Sequence, residues 1–339
     1  MPDSDLLPRP RILRPTPFNL ARAASVLRRG GIVGVPSETV YGLAADAFSA
    51  GACEKIFKAK RRPTTDPLIV HLAEAGELER VACANDAAHR LSERFWPGPL
   101  TLVLPKRQTV PDLITAGRPT VAVRVPAHPL FRRLIQLSGC PLAAPSANPF
   151  GYVSPTTAEH VRDGLSGTAL KIVVDGGECE VGVESTIIDL TQADGPRLLR
   201  PGGLAVEEIE SVLGVRVARP RPARLDPSRA APAPGMLARH YSPKTPLRLH
   251  ARLDADALDR LPADEALLLL RRPSRPGRDS RLHWLSERGD LAEIARSLFA
   301  ALRRLDAAEW RVIHAELPVG EEGLAAAVRD RLNRAAAKR

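Results

Sequence analysis

A chain of 339 residues, 44% apolar and 26% charged, is long enough for one large or two medium domains and has the composition of an ordinary soluble globular protein. Its C-terminal part has no uncharged apolar run longer than Ala266–Leu270, far too short to cross a bilayer. The start, MPDSDLLPRPRILRP, carries acids and prolines where a signal peptide needs cations and then an apolar stretch, so a cytoplasmic, membrane-free protein is expected.

The net charge of +10 is uneven: residues 1–210 hold 24 Lys and Arg against 23 Asp and Glu, and residues 211–339 hold 25 against 16. The C-terminal excess is either an Arg-rich solvated surface or a face for RNA, including tRNA. Cys53, Cys83, Cys140 and Cys179 show no CxxC pairing and no neighbouring His, and read as free buried thiols rather than metal ligands.

In chain order, residues 1–17 read as a loose proline-rich arm. A helix over 19–29 follows, capped by Asn19, with Leu20, Ala23, Ala24 and Leu27 on one face and Gly30 as its stop. The apolar run Ile32–Val35 reads as a short buried strand delivering Ser37-Glu38-Thr39-Val40-Tyr41-Gly42. A helix over 50–61 ends in the cations Lys58, Lys60, Arg61 and Arg62, and the next apolar run, 68–72, contains His71. Helices are expected over 86–95, 128–138 and 206–213, and strands over 100–104, 120–125, 142–145, 171–174, 185–190 and 198–200. A cap at Ser154-Pro155-Thr156-Thr157 opens a further helix through Val161. Helices alternating with strands at this spacing argue for an α/β sheet. Residues 214–235 are proline-rich and read as an extended linker. Beyond them, strands over 247–249, 266–270 and 311–314 and helices over 291–305 and 323–337 form a small βαβ-like unit.

No GxxxxGK[ST], no GxGxxG after a strand, no HExxH and no GxSxG is present. A phosphate binder without these must use side-chain cations and helix N-termini. Hydroxyls, fixed cations and an imidazole are brought to strand ends, where open α/β sheets place ligands. Taken alone, the Lys58–Arg62 cluster reads as charges complementing a helix C-terminus, and the Ser146–Ser154 donors equally as a turn and a cap.

The ordered set PSETVYGL, KAKRRP, DPLIVHL, FWPGPLTLVL, VAVRVPAHP, APSAN, SPTTAEHV, VESTIIDL and LLRPGG over residues 30–203 resembles the YrdC-like domain of threonylcarbamoyladenylate synthases. RHYSPKTPL and the trailing unit resemble the two-domain form of that family. The resemblance implies an open twisted α/β sheet over 15–210, a linker over 211–246 whose HYSP segment acts as a lid, and a small Rossmann-like α/β domain over 247–339. It implies formation of threonylcarbamoyl-AMP and pyrophosphate from L-threonine, bicarbonate or CO2, and ATP, with Mg2+ accompanying the ATP and the product passing to tRNA-modification machinery. By the same resemblance, Thr39, His71, Arg124 and Ser185 hold threonine. Lys58, Lys60, Arg62, Ser146, Asn148, Ser154 and Arg200 hold the nucleotide, with His240 and Tyr241 closing over it. No covalent catalytic residue is implied, since the site aligns two anions and stabilises charge on phosphate. Tyr41 would pack on a ring or on a bound substrate, and Arg62→Ala would weaken ATP use with the fold intact.

Two positions depart from the family pattern. Ser37 stands where Thr is common, and Asp66 where Asn is common, facing away or paired with Arg61 or Arg62. The alternatives are a double-stranded RNA or tRNA-binding module without nucleotide chemistry, and a carbamoyl transferase of the hydrogenase-maturation type, whose zinc-finger cysteine clusters this chain lacks.

Overall fold

The computed structural model describes residues 9–219, 230–236, 240–274 and 279–337. The first unit runs β1 (Arg11–Leu13), α1 (Pro17–Arg28), β2 (Val33–Val35), β3 (Gly42–Asp46), α2 (Ala50–Lys60), β4 (Ile69–His71), α3 (Asp86–Phe95), β5 (Leu100–Pro105) and α4 (Asp112–Thr115). It continues with β6 (Thr120–Arg124), α5 (Pro129–Ser138), β7 (Leu142–Ala143), α6 (Ala158–Gly164), β8 (Ile172–Val174), β9 (Thr186–Asp189), β10 (Arg197–Arg200) and α7 (Val206–Leu213). Ten strands form one mixed sheet in the order β1-β8-β2-β3-β7-β4-β6-β5-β9-β10. Apolar side chains on one side of it, such as Leu43, Val70, Leu102 and Val123, pack with Ile56, Leu91 and Ile209 of α2, α3 and α7. Val33, Val35 and Val174 pack on the other side with Leu20, Leu27, Phe131 and Leu134 of α1 and α5.

Register decides what the strand ends carry. β4 and β6 are parallel with His71 opposite Arg124, so imidazole and guanidinium emerge side by side. Arg200 is likewise the last residue of β10. Ser37 accepts from the N–H groups of Thr39 and Val40 and donates to Val40 O at 2.6 Å. This hydroxyl-closed turn presents Thr39, and it needs only the hydroxyl that Ser shares with Thr. Gly202 is required for contact: a Cβ there would lie 2.3 Å from Glu184 O, so the Pro-Gly-Gly turn presses flat against residues 184–186.

The second unit runs β11 (Leu247–His250), β12 (Glu265–Arg271), β13 (Leu282–Ser286), α8 (Leu291–Ala307), β14 (Val312–Glu316) and α9 (Gly323–Ala335). Its four strands, ordered β11-β14-β12-β13, are all parallel, as a small Rossmann-like unit requires. Its core continues into the first unit through Val40, Val153, Val183 and Tyr241. The backbone at Gly182 packs so closely on α8 that a Cβ would fall 2.3 Å from Arg296 Cα.

Several expectations are corrected. Thr16, not Asn19, caps α1: its hydroxyl accepts from Asn19 N, and helical φ/ψ begin at Pro17. Within the stretch read as a loose arm, Arg11–Leu13 pair with β8, a three-residue strand too short to show periodicity. β3 and β13 were not expected as strands; β3, Gly-Leu-Ala-Ala-Asp, lacks β-branched residues and owes its conformation to its neighbours. Within the expected cap stretch 154–157 it is Thr157 that caps α6, which runs on past Val161 to Gly164. Cys53 and Cys179 are buried, but Cys83 is exposed. Within the expected linker, Ala218 bridges Arg197, and residues 220–229 and 237–239 lie outside the described residues. Among the described residues no helix is long and apolar enough to cross a membrane.

Candidate active site

The ends of β2, β4, β6 and β10, the turn at Ser146 and the segments 234–235 and 240–241 surround one cleft. Thr39, His71, Arg124 and Ser185 line it together, as do Arg62, Ser146, Arg200, His240 and Tyr241. The four expected threonine residues and five of the nine expected nucleotide residues thus share one cavity.

Arg124 is pinned on three sides. Its Nε donates to Gly98 O at 3.1 Å, its Nη1 to Thr39 Oγ1 at 3.0 Å, and its Nη2 lies 2.6 Å from Glu38 Oε1. Burial pushes the Glu38 carboxyl up, but Arg124 and the Ala127 N–H outweigh it and hold it below the usual carboxylate range. A guanidinium fixed this way can receive a carboxylate without paying to be ordered. Beside it, the His71 ring packs 4.9 Å from the Phe131 ring, and its Nδ1 is buried without a partner. Burial, reinforced by Arg124, pushes the imidazole down to about 3, so His71 is neutral and serves as a hydrogen-bonding group.

Also lining the cleft, Arg200 donates from Nε and Nη2 to Ser185 O at 3.2 and 3.0 Å and from Nη1 to Pro234 O. Ser185 Oγ lies 2.7 Å from Thr101 Oγ1. Gly235 has φ +74°, and a Cβ there would lie 3.0 Å from both Arg200 Nη1 and the Tyr241 hydroxyl, so only glycine suits this rim. Arg62 donates to Asp66 O and Pro67 O and pairs with Asp66 Oδ2 at 2.9 Å, both side chains buried. Asp66 therefore faces its own neighbour; burial pushes its carboxyl up against the pull of Arg62.

Three expected nucleotide residues stand behind the wall rather than on it. Lys60 Nζ donates to Ser146 O and to Asn148 O, tying the Ser146 turn to α2. Asn148 Nδ2 donates to Pro149 O and Tyr152 O, and Ser154 Oγ donates to Glu184 Oε1 at 2.6 Å. Lys58 is not brought to the cavity: its side chain is 80% exposed and pairs with Glu54 one helical turn away. Tyr41 is also corrected, since its ring is in the core and its hydroxyl donates to Gly177 O and accepts from Gly176 N. Sequence reasoning missed Glu38 and Glu184, although both sit in quoted motifs. A carboxylate in a positive cavity is recognisable only once its arginine partner is seen. Among the described residues no group of three or more His, Cys, Asp or Glu is placed to hold a metal ion.

Burial also predicts acid lability. His71 and His240 are held neutral by burial, with His128 and His160 shifted in the same direction. Below pH 6.5 the unfolded chain takes up protons that these folded imidazoles refuse. Stability is therefore complete above that pH and falls below it, by up to about 1.4 kcal/mol per pH unit for each imidazole. Denaturant midpoints are expected to drop between pH 7.5 and pH 5; a constant midpoint would contradict the buried neutral assignment.

A family model described as "Telomere recombination", covering Sua5, YciO and YrdC, matches residues 25–202, and "Threonylcarbamoyl-AMP synthase, C-terminal domain" matches residues 204–337. Threonylcarbamoyl-AMP synthase of Pyrococcus abyssi is 45% identical over 94% of each chain. The Bacillus subtilis protein of the same name is 47% identical over 68% of this chain and 66% of its own. The crystal structure of P. abyssi Sua5 complexed with L-threonine superposes with a TM-score of 0.86 at 41% identity, covering 96% of this chain and 97% of that one. With both halves matched in order across one shared cavity, the chain belongs to the two-domain threonylcarbamoyl-AMP synthase family.

Proposed function

We propose that this chain condenses L-threonine, bicarbonate or CO2, and ATP into threonylcarbamoyl-AMP, releasing pyrophosphate, and that the product serves tRNA modification. The observation that carries this is the cleft that Arg124, Thr39 and His71 line together with Arg62, Arg200 and Ser146. Arg124 suits the threonine carboxylate, and the neutral His71 and Thr39 suit its amine and hydroxyl as hydrogen-bond partners. The amine adds to CO2 and loses a proton, giving a carbamate. A carbamate oxygen then attacks the α-phosphorus, and the bond to the β-phosphate oxygen breaks as pyrophosphate leaves. The protein's contribution is alignment of two anions and stabilisation of charge on the phosphate by Arg62 and Arg200, without a covalent intermediate. His240 and Tyr241 exclude water from a carbamate that water destroys. The nearby carboxylates do not fit a resident metal, because Glu184, which lines the cleft, is engaged by Arg331, and Asp66, which does not line it, by Arg62. Mg2+ is proposed to enter as the counter-ion of ATP, part of the substrate.

The test mixes protein, Mg-ATP, threonine and bicarbonate and measures pyrophosphate and a threonine-dependent AMP adduct by mass. Absence of both sinks the reading.

A further inference from the structure

Among the described residues the second unit supplies none that lines the cavity, yet one of its side chains touches two that do. Arg331 of α9 is fully buried. Its Nε donates to Glu184 Oε2 at 2.7 Å and its Nη1 to Asp330 Oδ2 at 2.6 Å. Its guanidinium carbon lies 5.1 Å from the centroid of the Tyr241 ring. Glu184 and Tyr241 both line the cleft, and the other oxygen of Glu184 accepts from Ser154.

Tyr241 needs such support. Its φ is 62°, the left-handed region that a non-glycine residue holds only where its surroundings over-determine it. Its ring stacks on Phe299 of α8 at 5.4 Å. Its hydroxyl is buried without a protein partner and sits at the Gly235 rim of the cavity. A hydroxyl that loses water without gaining a partner is costly, so this rotamer is set by the cation and the aromatic ring behind it.

The geometry points to Arg331 as a positioning residue, which holds Tyr241 turned over the cleft and Glu184 in its wall, so that the second unit sets how much of the enzyme is competent to bind both substrates. This rests on the reading of the cleft as a threonine and ATP site. The discriminating quantity follows from population arithmetic. If a variant lowers the fraction of molecules with the lid in place, apparent affinity falls by that fraction for both ligands. If it merely lowers the fraction folded, Vmax falls and KM stays.

The experiment compares the full-length chain with Arg331→Met, Arg331→Lys and Phe299→Leu. The Met variant is expected to raise the KM for ATP and for threonine together, by about tenfold if nine-tenths of the lid population is lost, and the Lys variant less. Should the Met variant not fold, the other two read the same quantity. Hydrogen exchange of the 240–246 peptide is expected to quicken in all three while β12 peptides stay protected, and this readout needs no activity. A fall in Vmax at unchanged KM, or unchanged exchange over 240–246, overturns the inference. A wild-type chain that releases no pyrophosphate, with exchange over 240–246 still altered in the variants, overturns the proposed reaction and leaves the positioning role standing.

Discussion

Replacing Arg124 with alanine is expected to lower kcat/KM for threonine by roughly 10²–10³, the range found when one pre-positioned charge donor is removed from an active site. The same change is expected to cost stability. Glu38 is buried and faces the guanidinium at 2.6 Å, so deleting the arginine strands a carboxylate, at about 3–5 kcal/mol. The two effects can be separated. In the double variant Arg124→Ala with Glu38→Gln no charge is stranded, so stability should recover while threonine use stays lost. Arg124→Lys should behave like the alanine variant toward threonine. One ammonium cannot reach Gly98 O, Thr39 Oγ1 and Glu38 together and still present a planar fork to a substrate. Threonine KM and pyrophosphate release, read beside thermal melts, check this. An unchanged threonine KM in Arg124→Ala would remove Arg124 from the substrate site.

The second large effect is at Arg62. As a helix-end cation it is expected from sequence to be removable without harm to the fold; its burial against Asp66 reverses that expectation. Arg62→Ala should lose about 3–5 kcal/mol of stability along with ATP use, because Asp66 is left charged and dry. Asp66→Asn should be milder. Arg62 keeps its hydrogen bonds to Asp66 O and Pro67 O, which are backbone carbonyls, and the cavity gains net positive charge. Tighter ATP binding is therefore expected in Asp66→Asn, measurable by calorimetry. Weaker ATP binding in that variant would mean that the carboxylate itself orders Arg62 for the nucleotide.

Much of the architecture was legible because periodicity and stop signals are local. α2, α3, α5, α7, α8 and α9 were expected within a few residues of their observed bounds, since their apolar spacing and capping residues lie within one short window. The misses are instructive. β1 is made by pairing with a segment about 160 residues away, and β3 is a strand because β2 and β7 flank it. Neither cause is written in the residues concerned.

The cavity divides in the same way. Thr39, His71, Arg124, Ser185, Arg62, Ser146 and Arg200 were marked by motifs at strand ends, and strand ends converge. The motif alone could not rank the cations around α2. Lys58 and Lys60 differ in rotation on the last turn of α2, and Arg62 lies beyond its left-handed cap at Arg61: the first faces solvent, the second is buried behind the Ser146 turn, and the third reaches the cleft. A helix turns about 100° per residue, so neighbours in sequence are not neighbours in chemistry.

By itself, then, the sequence determined the α/β class, the two units, the family and the set of chemical groups available, all of which follow from residue type and local spacing. Tertiary structure decided which of those groups meet. It paired Asp66 with Arg62, set Glu38 behind Arg124, withdrew Tyr41 into the core, and carried Arg331 from the second unit to Tyr241 and Glu184. The physical reason is that a buried charge must find its counter-charge and its hydrogen bonds wherever the folded chain brings them, and those partners lie up to about 150 residues apart.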